Sequence, residues 1–495
     1  MLQAELLLRL GELSDLGANA ALLGWDQQTM MPAGGAEGRA QVMATLARLT
    51  HERQTDPVLG ELLDAAEPGD DRERAIVRVA RRDHDRARRV PRELAAAMEL
   101  AGARAQGPWL EARERSDFSR FAPFLEENLR LRRELAACFP EAGHPYDALM
   151  DAFEPGLTTV RVREVFDALR AGLVPLVREI AGAPRAPVLP GPFSVRGQTE
   201  LALEVARTFG YDDASWRLDL AVHPFAQSLS PRDIRVTARY DTRDLQGLFA
   251  VMHEVGHGLY EHQIGDDLAR TTLDGGVSLG VHESQSRLWE NWVGRSEAFW
   301  RHWSPRAREL FGAAALGELD DRDLLRAINV VEPTLIRVDA DEVTYTLHVI
   351  LRFELELALV EGTLAVADLP AAWNAKMRDL LGITVPDDTH GVLQDIHWSW
   401  GEFGYFPTYA IGNVAAAQLW RAACDALPSL EEDMAAGDLS GLRAWLGEHV
   451  HRHGRTLEPA ELLRRATGQE LDPQPVLEHL WGKYAELYGL DRRAP

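Results

Sequence analysis

Asp241-Thr242-Arg243-Asp244-Leu245-Gln246-Gly247-Leu248-Phe249-Ala250-Val251-Met252-His253-Glu254-Val255-Gly256-His257-Gly258-Leu259-Tyr260-Glu261 decides how the rest of the chain is read. Leu245, Leu248, Met252, Val255 and Leu259 recur at helical spacing, which predicts an amphipathic helix with that stripe turned inward. Asp241 is the expected N-cap, with Asp244 in the first turn at the positive end of the helix dipole. His253 and His257 are four residues apart and so project from one face, about one turn from each other. Both imidazoles can then reach a single metal ion. Glu254, beside the first of them, can accept a proton from an activated water.

A catalytic site of this kind needs a third protein ligand and one open position. Downstream, Gly275-Gly276-Val277-Ser278-Leu279-Gly280-Val281-His282-Glu283-Ser284 follows a glycine pair that lets the chain turn back. Ser278 can cap a second helix carrying His282 and Glu283 in its first turns. Glu283 completes a His-His-Glu set, and His282 is the rival ligand.

The chain has 495 residues, 46% of them hydrophobic and 26% charged, an ordinary balance for a globular protein. A net charge of −24 disfavours nucleic acid and anionic membranes as partners. Two cysteines, Cys138 and Cys424, far apart in sequence, form neither a disulfide framework nor a zinc knuckle. The first ten residues lack a basic segment followed by a long apolar one, and no run of 18 apolar residues occurs. A cytoplasmic location is expected.

Most of the sequence has helical character, rich in Ala, Leu, Glu and Arg. Residues 1–150 predict several long helices, with a break at Gly24–Gly35. The Arg-dense stretch 72–93 reads as a solvated helix face laced with ion pairs. Residues 182–197, with four prolines, are a loop and a possible subdomain seam within one domain spanning 1–495. Asp219 to Tyr240 alone has strand character. In Asp233-Ile234-Arg235-Val236-Thr237 the polar residues share one face, and Ile234 and Val236 the other. A short antiparallel sheet beside the metal helix is expected, and its polar face or its edge could hold an extended peptide. Asp341 to Glu361 predicts a long helix, and Gly391 to Tyr409 an aromatic loop lining a cleft. His449, His451 and His453 form a second histidine cluster with no evident third ligand.

The sequence resembles the Taq-type metallocarboxypeptidases. The resemblance rests on His223-Pro224-Phe225; Asp233-x-Arg235-x-Thr237; His253-Glu254-x-x-His257; Ile336-Arg337-x-x-Ala340-Asp341; and Gly391-x-x-Gln394-Asp395-x-His397-Trp398, in that order. His282-Glu283-Ser284-Gln285, Trp25-Asp26-Gln27 and the Lys483-to-Leu490 ending also match. The resemblance implies a mainly α, neurolysin-like fold with a deep substrate cleft. It implies a metal-dependent carboxypeptidase, usually a homodimer, with one Zn²⁺ (or Co²⁺) per chain, and peptides with a free C-terminus as substrates. Carried over by motif, His253, His257 and Glu283 are the ligands and Glu254 the general base.

Peptide hydrolysis also needs a donor for the developing oxyanion and an anchor for the substrate carboxylate. His397, Tyr405 and Tyr409 are the candidate donors, each also readable as a packed ring with a satisfied polar tip. Arg337 and Arg235 are the candidate anchors, each also readable as a structural ion-pair partner, and His223 is a further substrate-binding candidate. An endopeptidase or dipeptidyl carboxypeptidase could use the same metal site. A helical binding protein with an incidental motif is the alternative outside enzymes.

Overall fold

The structure is a computed structural model that describes residues 2–491. Four helices open the chain: α1 (Ala4–Thr29), α2 (Ala36–Gln54), α3 (Pro57–Asp64) and α4 (Asp71–Arg89). α1 continues through Gly24 to Thr29, further than expected, and the chain breaks only at the proline and glycines beyond it. α4 is the predicted charged helix. Its Arg82 and Arg86 reach Asp151 on a distant segment, at 3.1 and 2.8 Å. Leu2, Leu6, Leu10, Leu59, Leu63, Ile76 and Val79 form a small core of their own with Ile264, Leu268 and Leu273.

There follow α5 (Arg92–Arg115), α6 (Ala122–Ala137), α7 (Pro145–Met150), α8 (Thr159–Ala181) and α9 (Val195–Phe209). Between α8 and α9 the proline-rich segment is irregular, and both flanking helices contribute to the same large core, through Leu173 and Ile180 on one side and Leu201 and Phe209 on the other.

Three strands come next, β1 (Trp216–Leu220), β2 (Ala226–Ser230) and β3 (Asp233–Ala238). The sheet is mixed rather than wholly antiparallel, with order β1-β3-β2. β2 and β3 form the expected hairpin, but β3 inserts beside β1 and runs parallel to it, with Trp216 opposite Ile234. The chain reverses between β1 and β2 across the middle strand, so β1 and β3 point the same way. The predicted face alternation holds, with Ile234 and Val236 fully buried, but Thr237 is buried too. Its hydroxyl is used by Phe225, donating to the carbonyl and accepting from the N–H, at 3.0 and 2.8 Å.

The metal-motif helix α10 (Gln246–His262) packs against β2 and β3, and α11 (Leu279–Arg287) packs against α10. α12 (Glu297–Leu316, broken at Gly312) and α13 (Asp321–Ile328) lead to the long α14 (Tyr345–Glu361) and to α15 (Leu369–Leu381). α14 buries Leu347, Ile350 and Leu351, as its apolar pattern requires. α16 (Pro407–Ala426) follows the aromatic loop, and α17 (Leu430–Ala436), α18 (Ser440–His449), α19 (Pro459–Thr467) and α20 (Gln474–Tyr488) end the chain. Among the described residues no helix is long and apolar enough to cross a membrane.

Candidate metal centre

All five stripe residues of the motif helix are buried. The helix starts at Gln246, later than expected. Asp244 accepts the Gln246 N–H at 3.0 Å, whereas Asp241 is taken up by Arg243. The 241–242 backbone is also committed to the preceding loop, through bonds from Gln198 and Phe193. Ser278 does cap α11, accepting from Val281 at 3.1 Å. Two glycines let the helices approach. A Cβ on Gly256 would lie 2.7 Å from the Gln285 carbonyl, and one on Gly412 of α16 would lie 2.6 Å from the Glu283 side chain. Glu283 is thereby held between α10 and α16.

His253 Nε2 and His257 Nε2 stand 3.7 and 3.6 Å from Glu283 Oε2. Tetrahedral ligation at about 2.0–2.2 Å puts ligand atoms roughly 3.3 Å apart, so each imidazole nitrogen needs to approach the carboxylate oxygen by only a few tenths of an ångström around an ion. Among the described residues this is the one His/Cys/Asp/Glu group of metal-site dimensions. The other ring nitrogens are already engaged. His253 Nδ1 is 2.9 Å from Glu290 Oε2, and His257 Nδ1 is 2.8 Å from His282 Nδ1. This leaves each Nε2 for a metal, the arrangement that orients histidine ligands. Arg287 donates to Glu283 at 2.8 Å and to Glu290 at 3.2 Å. The donor set fits a divalent ion.

His282, the rival ligand, has both ring nitrogens engaged, Nδ1 by His257 and Nε2 by Glu261, at 2.8 Å each. Sequence reasoning did not find Glu290, Arg287 or Glu261. The spacing held the signal, because Glu283, Arg287 and Glu290 recur at i, i+4 and i+7, one helical face. A π-helical segment, Leu288–Val293, continues α11 and carries Glu290.

Burial disfavours charge on both imidazoles, His253 and His257. In His253 the Glu283 carboxylate and the Glu290 bond outweigh it and raise the pKa, whereas His257, facing His253 and His282, is held well below the usual range. Glu254 is pushed up to about 7 by burial. It lines the same cavity as His253, His257 and Glu283, a space of about 350 Å³ whose other walls are Pro224, Phe225, Ala226, Leu279, His282, Tyr405, Thr408 and Tyr409.

A sequence model of the carboxypeptidase Taq (M32) metallopeptidase family matches residues 5–484. The chain belongs to this family. It is 44% identical to thermostable carboxypeptidase 1 of Thermus thermophilus, with 96% of each chain covered. It is 36% identical to carboxypeptidase 1 of Bacillus subtilis, with 98% of this chain and 97% of that one covered. The crystal structure of the M32 carboxypeptidase from Deinococcus radiodurans R1 superposes with a TM-score of 0.96 at 44% identity, over 98% and 99% of the two chains. The Pyrococcus furiosus carboxypeptidase structure gives 0.94 at 35%, over 97% and 98%. The protein is an M32 metallocarboxypeptidase.

Within this M32 site the structure brings together only some of the other residues singled out by sequence. Tyr405 and Tyr409 line the cavity, with ring centroids 5.3 Å apart. Burial raises both phenols, Tyr405 to about 12. His397 sits behind them, its ring 5.3 Å from Tyr405 and 4.6 Å from Phe406, with Nδ1 buried and without a hydrogen-bond partner among the described residues. Burial lowers its pKa to about 4.

Neither arginine lines the cavity. Arg337 is buried behind Tyr409, 4.9 Å from its ring. Its guanidinium donates to Asp395 at 3.1 Å and to the Tyr345 hydroxyl at 3.0 Å, and Asp395 is shared with Arg352. Arg235 holds both Asp233 oxygens at 3.0 Å and lies 4.2 Å over the Trp25 ring, facing α1. His223 is exposed on the β1–β2 turn, next to cavity residues Pro224 and Phe225. The second histidine cluster is structural. His451 is buried between Gln263 and Gln285, 2.8 Å from each, and His449 lies against Trp445.

Proposed function

We propose that His253, His257 and Glu283 hold one divalent ion, Zn²⁺ with Co²⁺ as the alternative, and that Glu254 is the general base in removing C-terminal residues from peptides. The convergence of two Nε2 atoms and one carboxylate oxygen beside Glu254, in one cavity, carries this reading. An ion bound there supplies Lewis acidity, which activates a water and polarises a carbonyl. Glu254 accepts the proton of the attacking water and passes it to the leaving amine. Metal analysis of the purified protein, with mass spectrometry of peptide digests before and after chelation, tests the reading. Single residues should leave from the C-terminus, and only with metal present. Internal cuts or released dipeptides would favour the endopeptidase or dipeptidyl carboxypeptidase.

β2 supplies a track for the substrate backbone. Phe225 pairs with Thr237 through backbone hydrogen bonding, so alternation turns the N–H and C=O of Ala226 and Ser228 away from β3. Ala226 is a wall of the metal cavity. Ala226, Gln227 and Ser228 also line an adjoining space that reaches Glu261. An extended peptide laid on this edge would pass the metal ligands.

Tyr405 and Tyr409 are neutral donors lining the same cavity, and Tyr405 is proposed to meet the developing oxyanion, with His397 packed against it. Tyr405→Phe should lower kcat about 10²-fold at unchanged metal content, the scale for losing one such donor. A change confined to KM would make Tyr405 a binding contact instead.

For the substrate carboxylate, Arg337 is proposed as the anchor, giving up part of its present bonding to Asp395 and Tyr345. C-terminal amidation should then cut kcat/KM by about tenfold or more, as loss of one charge-assisted contact implies. Arg337→Ala should show the same deficit on free peptides and little further loss on amidated ones. A preserved preference for free peptides in Arg337→Ala would move the anchor elsewhere, with Arg235 next to be tested.

A further inference from the structure

Glu356 lies on α14, fully buried. Among the described residues its partners are three uncharged donors. The Tyr146 hydroxyl donates to Oε2 at 2.7 Å, the Trp398 indole to Oε1 at 2.8 Å, and the Gly404 N–H to Oε2 at 3.0 Å. A buried carboxyl is costly unless its oxygens are satisfied, and an apolar side chain would fill the same space without that cost. Its placement is therefore informative about what it holds.

All three donors belong to the structure behind Tyr405. Gly404 immediately precedes that residue. It has φ 86°, and a Cβ there would meet the Met150 backbone nitrogen at 2.7 Å, so the peptide is pressed against the end of α7. Three residues past Met150, Phe153 sets its ring edge-on to Tyr405, with centroids 5.1 Å apart. Trp398 belongs to the turn that carries His397, and Tyr146 comes from α7 itself. One helical turn before Glu356, Arg352 donates to Asp395 at 2.6 Å and to Gln394 at 2.7 Å. Two side chains at i and i+4 on one face of α14 thus grip the aromatic loop at its start and at its end, just before Tyr405.

We infer that Glu356 is a positioning residue for turnover, fixing the Gly404 peptide so that the Tyr405 phenol faces the metal cavity. The inference rests on the proposed role of Tyr405. It separates Glu356 from the core residues around it, which stabilise the fold without acting through one phenol.

A double-mutant cycle tests it. In Glu356→Gln one acceptor oxygen becomes an amide NH₂ that must face a donor. Tyr146 can turn its hydroxyl to accept, but the indole and peptide N–H groups cannot. Displacing a group that serves the transition state is expected to lower kcat about tenfold, with KM within about twofold and metal content unchanged. In the Tyr405→Phe background the same change should alter kcat by less than about twofold, because the phenol it orients is gone. Tyr146→Phe, which removes one donor and keeps the ring, should show the same pattern at about threefold, and it serves if Glu356→Gln does not fold. Equal factors in the two backgrounds, or full kcat in both Glu356→Gln and Tyr146→Phe, would overturn the inference while leaving Tyr405 in place. A Tyr405→Phe enzyme with full kcat would overturn the reading of Tyr405 and the inference with it.

Discussion

Glu254→Gln is expected to bind metal as the unaltered enzyme does and to turn over about 10³-fold more slowly, within the range for removing a general base. Glutamine keeps the shape of the side chain, so the cavity wall and the neighbouring ligands have no reason to move. What it cannot do is accept a proton. Glu254 is only 7% exposed and shares its cavity with His253, His257 and Glu283. Burial pushes its pKa up to about 7, against the pull of His253 and with the push of Glu283 and Glu290. A carboxyl held in the cavity beside the attacking water can take its proton and give it up to the leaving amine, as the two halves of peptide hydrolysis require. Steady-state kinetics beside elemental analysis of the same preparation checks this. Fallen kcat and kcat/KM with full metal content would place the loss in the transition state. Near-normal turnover would remove Glu254 from the mechanism.

The parts of this site that could be read in the sequence are those encoded locally. The stripe from Leu245 to Leu259 repeats every three to four residues, so it reports a helix whatever the rest of the chain does. Ser278 caps α11 through Val281, three residues on. Glu283 could thus be placed on a helix start before its partners were known. Alternation in Asp233–Thr237 gave a strand for the same reason. The insertion of β3 between β1 and β2 was not legible, because pairing order depends on contacts between segments. The surroundings of the arginines were hidden likewise. Arg337 meets Asp395 across 58 residues, and Arg235 lies over Trp25, more than two hundred residues earlier. Gly24 misled locally, since α1 tolerates a glycine where packing and its length sustain it.

Glu283→Ala, His253→Ala and His257→Ala are each expected to lose tightly bound metal, and peptidase activity with it. With two of three ligands left, affinity should fall by more than the roughly 10–100-fold that follows removal of an outer hydrogen-bond partner. That benchmark can be measured in the same protein. Glu290 does not converge with the ligand atoms but holds His253 Nδ1 at 2.9 Å, and Arg287 and Arg295 help keep its carboxyl low, at about 2. Glu290→Gln should therefore weaken binding by about 10–100-fold and remain active when metal is added in excess, whereas Glu283→Ala should not be rescued. His282 provides the second comparison. It bonds His257 and Glu261 rather than facing Glu283 Oε2, so His282→Ala should resemble Glu290→Gln. Metal titration of the five variant apoproteins separates the cases. Full occupancy in Glu283→Ala, with loss in His282→Ala, would transfer the third ligand to His282 and require the first turn of α11 to rotate on binding.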